Sequence, residues 1–111
     1  DVAHTVAAIE KQLLDSSPSG GSPRYINDNY FRSDPAYSGN PWFVTTLWIA
    51  QFYSSIGKDE ESKNLIDWSL KHTLKSGVLS EQVNPSNGSV IGVTPLVWSH
   101  AELINTLLLI K

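Results

Sequence analysis

Apolar residues recur along the chain at two densities, and the difference sorts the helices they predict. Near the start, Val2, Val6, Ile9 and Leu13 fall at spacings of 4, 3 and 4. That draws one apolar stripe on a helix over 2–14, with Glu10, Lys11 and Gln12 on its other side. The breaker cluster Asp15-Ser16-Ser17-Pro18-Ser19-Gly20-Gly21 stops it. A second helix has a clear start: Asn40 as cap, Pro41 at the first helical position, and Gly57 after the last turn. Its stretch from Trp42 to Tyr53 is apolar nearly all round, with no charge before Lys58, so protein has to cover most of its sides.

A third helix is expected over 60–74, with Asp59 as its cap and acids in the first turn facing the positive end of the helix dipole. Its stripe is Leu65, Ile66, Trp68, Leu70 and Leu74; Lys63, Asp67, Lys71 and Lys75 go to solvent, and Gly77 ends it. A fourth begins at Thr94-Pro95 and runs to the end, carrying Leu103, Ile104, Leu107, Leu108 and Ile110. The densely apolar second and fourth helices read as inner, the striped first and third as outer.

Direction then places the loops. Successive packed helices run antiparallel. Helices two and three are joined closely, across Gly57 to Asp59, whereas 15–40 and 76–93 are long. Alternation puts both long connections at one end, each before the N-terminus of an inner helix. Long loops in a compact domain are often functional, and these hold most of the unusual polar and aromatic residues.

Composition narrows the classes. With 111 residues, 41% hydrophobic and 17% charged, the chain is one domain or a piece of one, neither a disordered tail nor a charged coiled coil. Its apolar runs, such as Leu47 to Ala50 and Leu107 to Ile110, fall far short of the roughly 18 residues of a membrane span. A net charge of −3, from 8 basic and 11 acidic residues, leaves no basic stripe for phosphates, so nucleic acid is not an expected partner. There is no Cys, which fits the cytoplasm and removes disulfides and thiol chemistry. There is no Met, and no signal segment is visible, so the chain reads as part of something longer. His4, His72 and His100 fall on three different predicted helices without ligand spacing, so no metal or other cofactor is expected.

The first loop offers Arg24, Tyr25, Asp28, Tyr30 and, at its end, Trp42. Guanidinium and carboxylate groups bond sugar hydroxyls in directed pairs, and aromatic faces pack on the C–H faces of a pyranose. An Arg–Asp ion pair with aromatics plugging a loop is the plainer reading of the same residues, and composition alone favours it. In the second loop Glu81 sits between Leu79 and Val83, away from any solvated face. A carboxylate there suits a general base that activates water, or a group bonding backbone amides. Asn84-Pro85-Ser86-Asn87-Gly88 is turn chemistry.

Taken in order, Arg24-Tyr25, Asp28, Tyr30, Gly39-Asn40-Pro41-Trp42-Phe43, Leu79-Ser80-Glu81-Gln82 and Thr94-Pro95-Leu96-Val97-Trp98-Ser99-His100-Ala101 resemble the C-terminal part of the glucoamylase family, glycoside hydrolase family fifteen. The likeness is strongest to its archaeal and bacterial members, and it runs from about Arg24 to the end. It implies that residues 1–111 are a single partial domain. The implied fold is all-α, four helices forming part of an (α/α)6 barrel (an α/α toroid) with its long loops and pocket at one end. It implies an inverting exo-hydrolase that releases glucose from the nonreducing end of α-glucans, with trehalase as a rival within the family. Glucoamylase-like domains that serve as non-catalytic regulatory or binding modules are a further rival. Carried over by motif, Glu81 is the general base. Arg24, Tyr25, Asp28, Tyr30, Trp42 and Gln82 bind substrate, with Arg24 the direct ligand of its hydroxyls.

Four departures stand out. Ile26-Asn27 occupies a stretch often acidic, Arg32 to Ser38 looks inserted, Gly92 sits where a hydroxyl residue is common, and the family's general acid comes from an earlier segment. Four helices cannot close a twelve-helix barrel, so the remainder of the parent domain is an expected partner. The isolated chain is expected to expose apolar surface, to self-associate and to lack activity.

Overall fold

The computed structural model describes residues 1–110. Four helices, α1 (Val2–Gln12), α2 (Phe43–Ser55), α3 (Asp59–Lys71) and α4 (Val97–Leu109), account for the regular structure except two short strands, β1 (Gln82–Val83) and β2 (Val90–Ile91). The all-α class is as expected. Side-chain partners fix the directions. Ser62, early in α3, donates to the carbonyl of Ala50, late in α2, while Phe43 and Trp68 stack at the opposite ends of the same pair, so α2 and α3 are antiparallel. Trp48 meets Trp98, Gln51 donates to Glu102 and Thr106, and Ser54 donates to Leu109, so α2 and α4 run parallel.

Both long loops therefore gather at the N-terminal ends of α2 and α4. A ribbon that the sequence did not predict ties them together. Ser22 bridges Trp42, Trp42 bridges Gln82, and Gln82 pairs antiparallel with Ile91. Trp42 N–H donates to Ser22 O at 3.0 Å, and Val83 N–H donates to Pro41 O at 2.9 Å. On the far side Leu96 N–H, just ahead of α4, donates to Leu79 O at 3.0 Å.

Helix α2 is the spine. It buries Phe43, Val44, Thr46, Leu47, Ile49, Ala50 and Tyr53, as an all-round apolar helix has to. One apolar cluster joins Val6 of α1 to Ile49, Ala50 and Tyr53 of α2 and Leu65 and Ile66 of α3. A second joins Phe43 and Leu47 to Leu79 and Val83 of the second loop, and so fixes the segment on either side of Glu81 to the helices.

Several boundaries differ from expectation. Asn40 does not cap α2, and Pro41 is not in it: the Asn40 side chain is taken up by Ser33, Phe31 and Gln82, and extended Trp42 precedes the first helical residue. Lys58, not Asp59, holds the cap position of α3, leaving Asp59, Glu60 and Glu61 in its first turn. That helix ends at Lys71, because His72 turns its ring back to the Trp68 carbonyl through Nδ1 at 2.8 Å. Leu70, on the outer face of the helix, and Leu74, beyond its end, are exposed, and the buried stripe is Ser62, Leu65, Ile66 and Ser69. Thr94-Pro95 stands outside α4, which starts at Val97 and buries only Ser99 and Thr106. Lys111, to which that helix was expected to run, lies outside the described residues. No helix among the described residues is long and apolar enough to cross a membrane.

Candidate active site

A cavity of about 450 Å³ opens where the two loops meet, lined by Arg24, Tyr25 and Tyr30 of the first loop, Trp42, Val44, Thr45 and Trp48 at the start of α2, and Glu81, Leu96 and Trp98. Its walls are largely aromatic. Glu81 is the only carboxylate among the described residues that line it.

Arg24 reaches this cavity on a fixed stem. Its Nε donates to Asp28 Oδ2 at 2.7 Å and its Nη2 to Asp28 Oδ1 at 2.8 Å, the bidentate fork that suits a guanidinium and a carboxylate. The guanidinium lies 4.2 Å above the Trp42 ring and 5.3 Å from the rings of both Tyr25 and Tyr30. Its Nη1 makes no hydrogen bond to the described residues. The bond from Asp28 holds Arg24 above its ordinary pKa against the cost of desolvation, and the field of Glu81 adds to it. Burial alone raises the Asp28 carboxyl, but the bonds from Arg24 and the Tyr30 N–H outweigh it and hold Asp28 below its ordinary value. Asp28 is 1% exposed and wholly occupied, so it stands behind the cavity wall. The ion pair of the plainer reading is thus present, yet Tyr25 and Tyr30 are about half exposed and leave the cavity open.

Glu81 is held from three sides. The Phe43 N–H, first in α2, donates to its carbonyl at 3.3 Å, and its own N–H donates to Val93 O at 3.1 Å. Its Oε1 accepts from Gln82 Nε2 at 2.7 Å. Gly92 (φ +83°) passes so close that a Cβ there would lie 2.9 Å from Oε1. Just upstream, Ser99 of α4 donates to Ser80 O at 2.8 Å, and Leu79 N–H donates to His100 Nε2 at 3.1 Å. Gln82 itself is fully buried behind Glu81.

Of the seven residues singled out from the sequence, Arg24, Tyr25, Tyr30, Trp42 and Glu81 line the cavity, while Asp28 and Gln82 support them from behind. Sequence reasoning did not count Trp48 and Trp98 among the site residues; they are 47% and 48% exposed and meet edge to face at 5.8 Å in the cavity wall. Their signal was positional: each lies within the first two turns of an inner helix, on the loop end. Among the described residues no group of three His, Cys, Asp or Glu is arranged to hold a metal ion.

The arrangement defines a helical protein whose polar chemistry sits at the loop end of two parallel inner helices. Comparison with known proteins adds the family. Residues 58–108 match the family model "Glycosyl hydrolases family 15", a range that takes in Glu81 and Gln82. An uncharacterised glycosyl hydrolase of Methanocaldococcus jannaschii is 34% identical over 113 residues, covering 90% of this chain and 17% of that protein. Trehalase 1 of Sulfolobus acidocaldarius is 28% identical over 107 residues, covering 96% of this chain and 18% of that protein. No significant match to a solved structure is found. The match to glycosyl hydrolase family 15 thus rests on residues 58–108, and the chain spans under a fifth of the length of these relatives.

Proposed function

We propose that this chain supplies the general base and part of the sugar pocket of an inverting α-glucoside hydrolase. The supporting observation is that Glu81 and Arg24, from loops far apart in sequence, line one aromatic-walled cavity. In this reading Arg24 Nη1 bonds hydroxyls of the nonreducing glucose, and Tyr25, Tyr30 and Trp42 pack on its ring. Glu81 takes a proton from a water. The water oxygen forms a bond to the anomeric carbon on the face opposite the leaving oxygen, and the glycosidic bond breaks with its electron pair going to that oxygen. A second carboxyl group protonates the leaving oxygen. For inversion it stands roughly 6.5–9.5 Å from the base, leaving room for the water. Glu81 is the only carboxylate among the cavity-lining residues, and in this reading the acid comes from another part of the parent domain.

Release of glucose from the end of α-1,4-glucans is the first substrate reading. Trehalose is the second, favoured by the likeness to a trehalase. The test uses the complete hydrolase. Glu81→Gln is expected to lower kcat on the preferred substrate by about 10²–10⁴-fold, and the unaltered enzyme is expected to form β-glucose first from maltooligosaccharides, or one α- and one β-glucose from trehalose, whose departing half keeps its α configuration. Comparable rates for the variant, α-glucose as the first product from maltooligosaccharides, or two α-glucoses from trehalose would overturn the reading. The ratio of rates on maltooligosaccharides and trehalose decides the substrate class. The 111-residue chain alone is expected to release no glucose from either.

A further inference from the structure

Behind Glu81 lie two buried amides whose orientation is set by the backbone. Asn40 is 1% exposed and Gln82 is 0% exposed. In each side chain the oxygen only accepts and the NH2 only donates, so each bond has a fixed sense. At Asn40 that sense is imposed by groups that cannot reverse. Ser33 N–H donates to Oδ1 at 3.2 Å, and the Phe31 carbonyl accepts from Nδ2 at 2.8 Å. Nδ2 also donates to Gln82 Oε1 at 2.9 Å. With its oxygen committed there, Gln82 presents Nε2 to Glu81 Oε1 at 2.7 Å. Turning Gln82 over would set its NH2 against the NH2 of Asn40 and its oxygen against the carboxylate, away from water.

This one-way chain makes the two oxygens of Glu81 unequal. A proton on Oε1 would face the Gln82 N–H, and Gln82 cannot turn to accept it. The Gly92 backbone closes the same side, at 2.9 Å from Oε1 to a would-be Cβ. Oε2 accepts no hydrogen bond from the described residues, in a carboxylate that lines the cavity. We propose that Asn40 is a positioning residue which, by fixing the sense of Gln82, reserves Oε2 as the proton-accepting oxygen of Glu81. The inference rests on the reading of Glu81 as the base, and it ties the conformation of the first loop at Phe31 and Ser33 to the reacting group in the second.

Two measurements separate the inference from the reading beneath it. The first follows the Gln82 side-chain amide by NMR in the 111-residue chain across the acid range. The unaltered chain is expected to show one orientation at every pH, and Ser33→Ala the same, because the Ser33 backbone donor survives. Asn40→Leu is expected to free the amide, giving a second orientation that grows as Glu81 protonates. If Asn40→Leu fails to fold by circular dichroism, the near-isosteric Asn40→Asp serves instead and is expected to show the same reversal. A single unchanged orientation in the folded variant would overturn the inference. The second measurement is the pH profile of kcat/KM in the complete hydrolase, whose acid limb is expected to move up in Asn40→Leu because a freed Gln82 can accept a hydrogen bond from a proton on Oε1, with kcat changing more than KM. An unmoved limb alongside an inactive Glu81→Gln overturns the inference and leaves the base assignment standing. A second orientation by NMR alongside a fully active Glu81→Gln does the reverse: the relay stands and the base assignment falls.

Discussion

Gly92 carries a constraint at the residue scale that no larger element would reveal. Its φ of +83° is the left-handed region, and its missing side chain is the space in which Glu81 Oε1 rests. Gly92→Ala adds backbone strain of roughly 1–2 kcal/mol and pushes the carboxylate aside. A lowered melting temperature and a fall in kcat of the complete hydrolase are expected together; a variant as stable and active as the parent would show that the close approach has no consequence. Where a hydroxyl is common in the family, this chain orients its carboxylate through Gln82 and a bare backbone instead. Asp28 makes a second prediction. Its carboxyl is held below the ordinary value of 3.8, so the stability it contributes is fully present above that pH and is lost as pH falls through the lowered value. Asp28→Asn removes this part of the acid dependence and frees the Arg24 fork. The acid unfolding midpoint by circular dichroism reports the first, and a raised KM reports the second.

Among the elements, helices were legible from spacing while their ends were not. The inner character of α2 followed from an uninterrupted apolar run, and the shared end of the two long loops followed from direction alone. Asn40, Asp59 and Thr94 are residues that cap well in isolation, but long-range bonds take the Asn40 side chain, Thr94 Oγ1 turns to Gly92 O, and Asp59 falls inside the first turn of α3. The ribbon through Ser22, Trp42, Gln82 and Ile91 was invisible because strands of two residues have no alternation to read. Of the site, the motif residues were legible; the amide chain through Asn40 was not, since nothing in a sequence shows which buried amide faces which. The second apolar cluster gives the prediction at this scale. Leu47 is fully buried against the segment that holds Glu81, so Leu47→Ala is expected to destabilise the chain by about 2–5 kcal/mol, read from urea unfolding. A loss below about 1 kcal/mol would place the loop's support elsewhere.

For the whole molecule, surface and charge set the behaviour. Helix α4 leaves Val97, Trp98, Ile104, Leu107 and Leu108 exposed, an apolar face larger than scattered surface residues would give. In the isolated chain this face is expected to drive association, seen as concentration-dependent species in sedimentation velocity; a dispersed monomer at high concentration would contradict it. At alkaline pH the fold is expected to weaken through Tyr53. Burial, reinforced by its bond to Glu10, pushes this phenol up to about 12 from its ordinary 10. The neutral form is the one the fold favours, so its contribution is intact below pH 10 and is lost as pH rises toward about 12. Tyr53→Phe should flatten that alkaline limb.

The central claim, that Glu81 is a base acting on a water at the far face of an α-glucoside, is tested most directly by replacing the base with a small anion. In the complete hydrolase, Glu81→Ala opens room beside the water's position. Azide added to that variant, with an activated α-glucoside as substrate, is expected to restore turnover and to yield the β-glucosyl azide. No rescue, or a glucosyl azide of α configuration, would contradict the account.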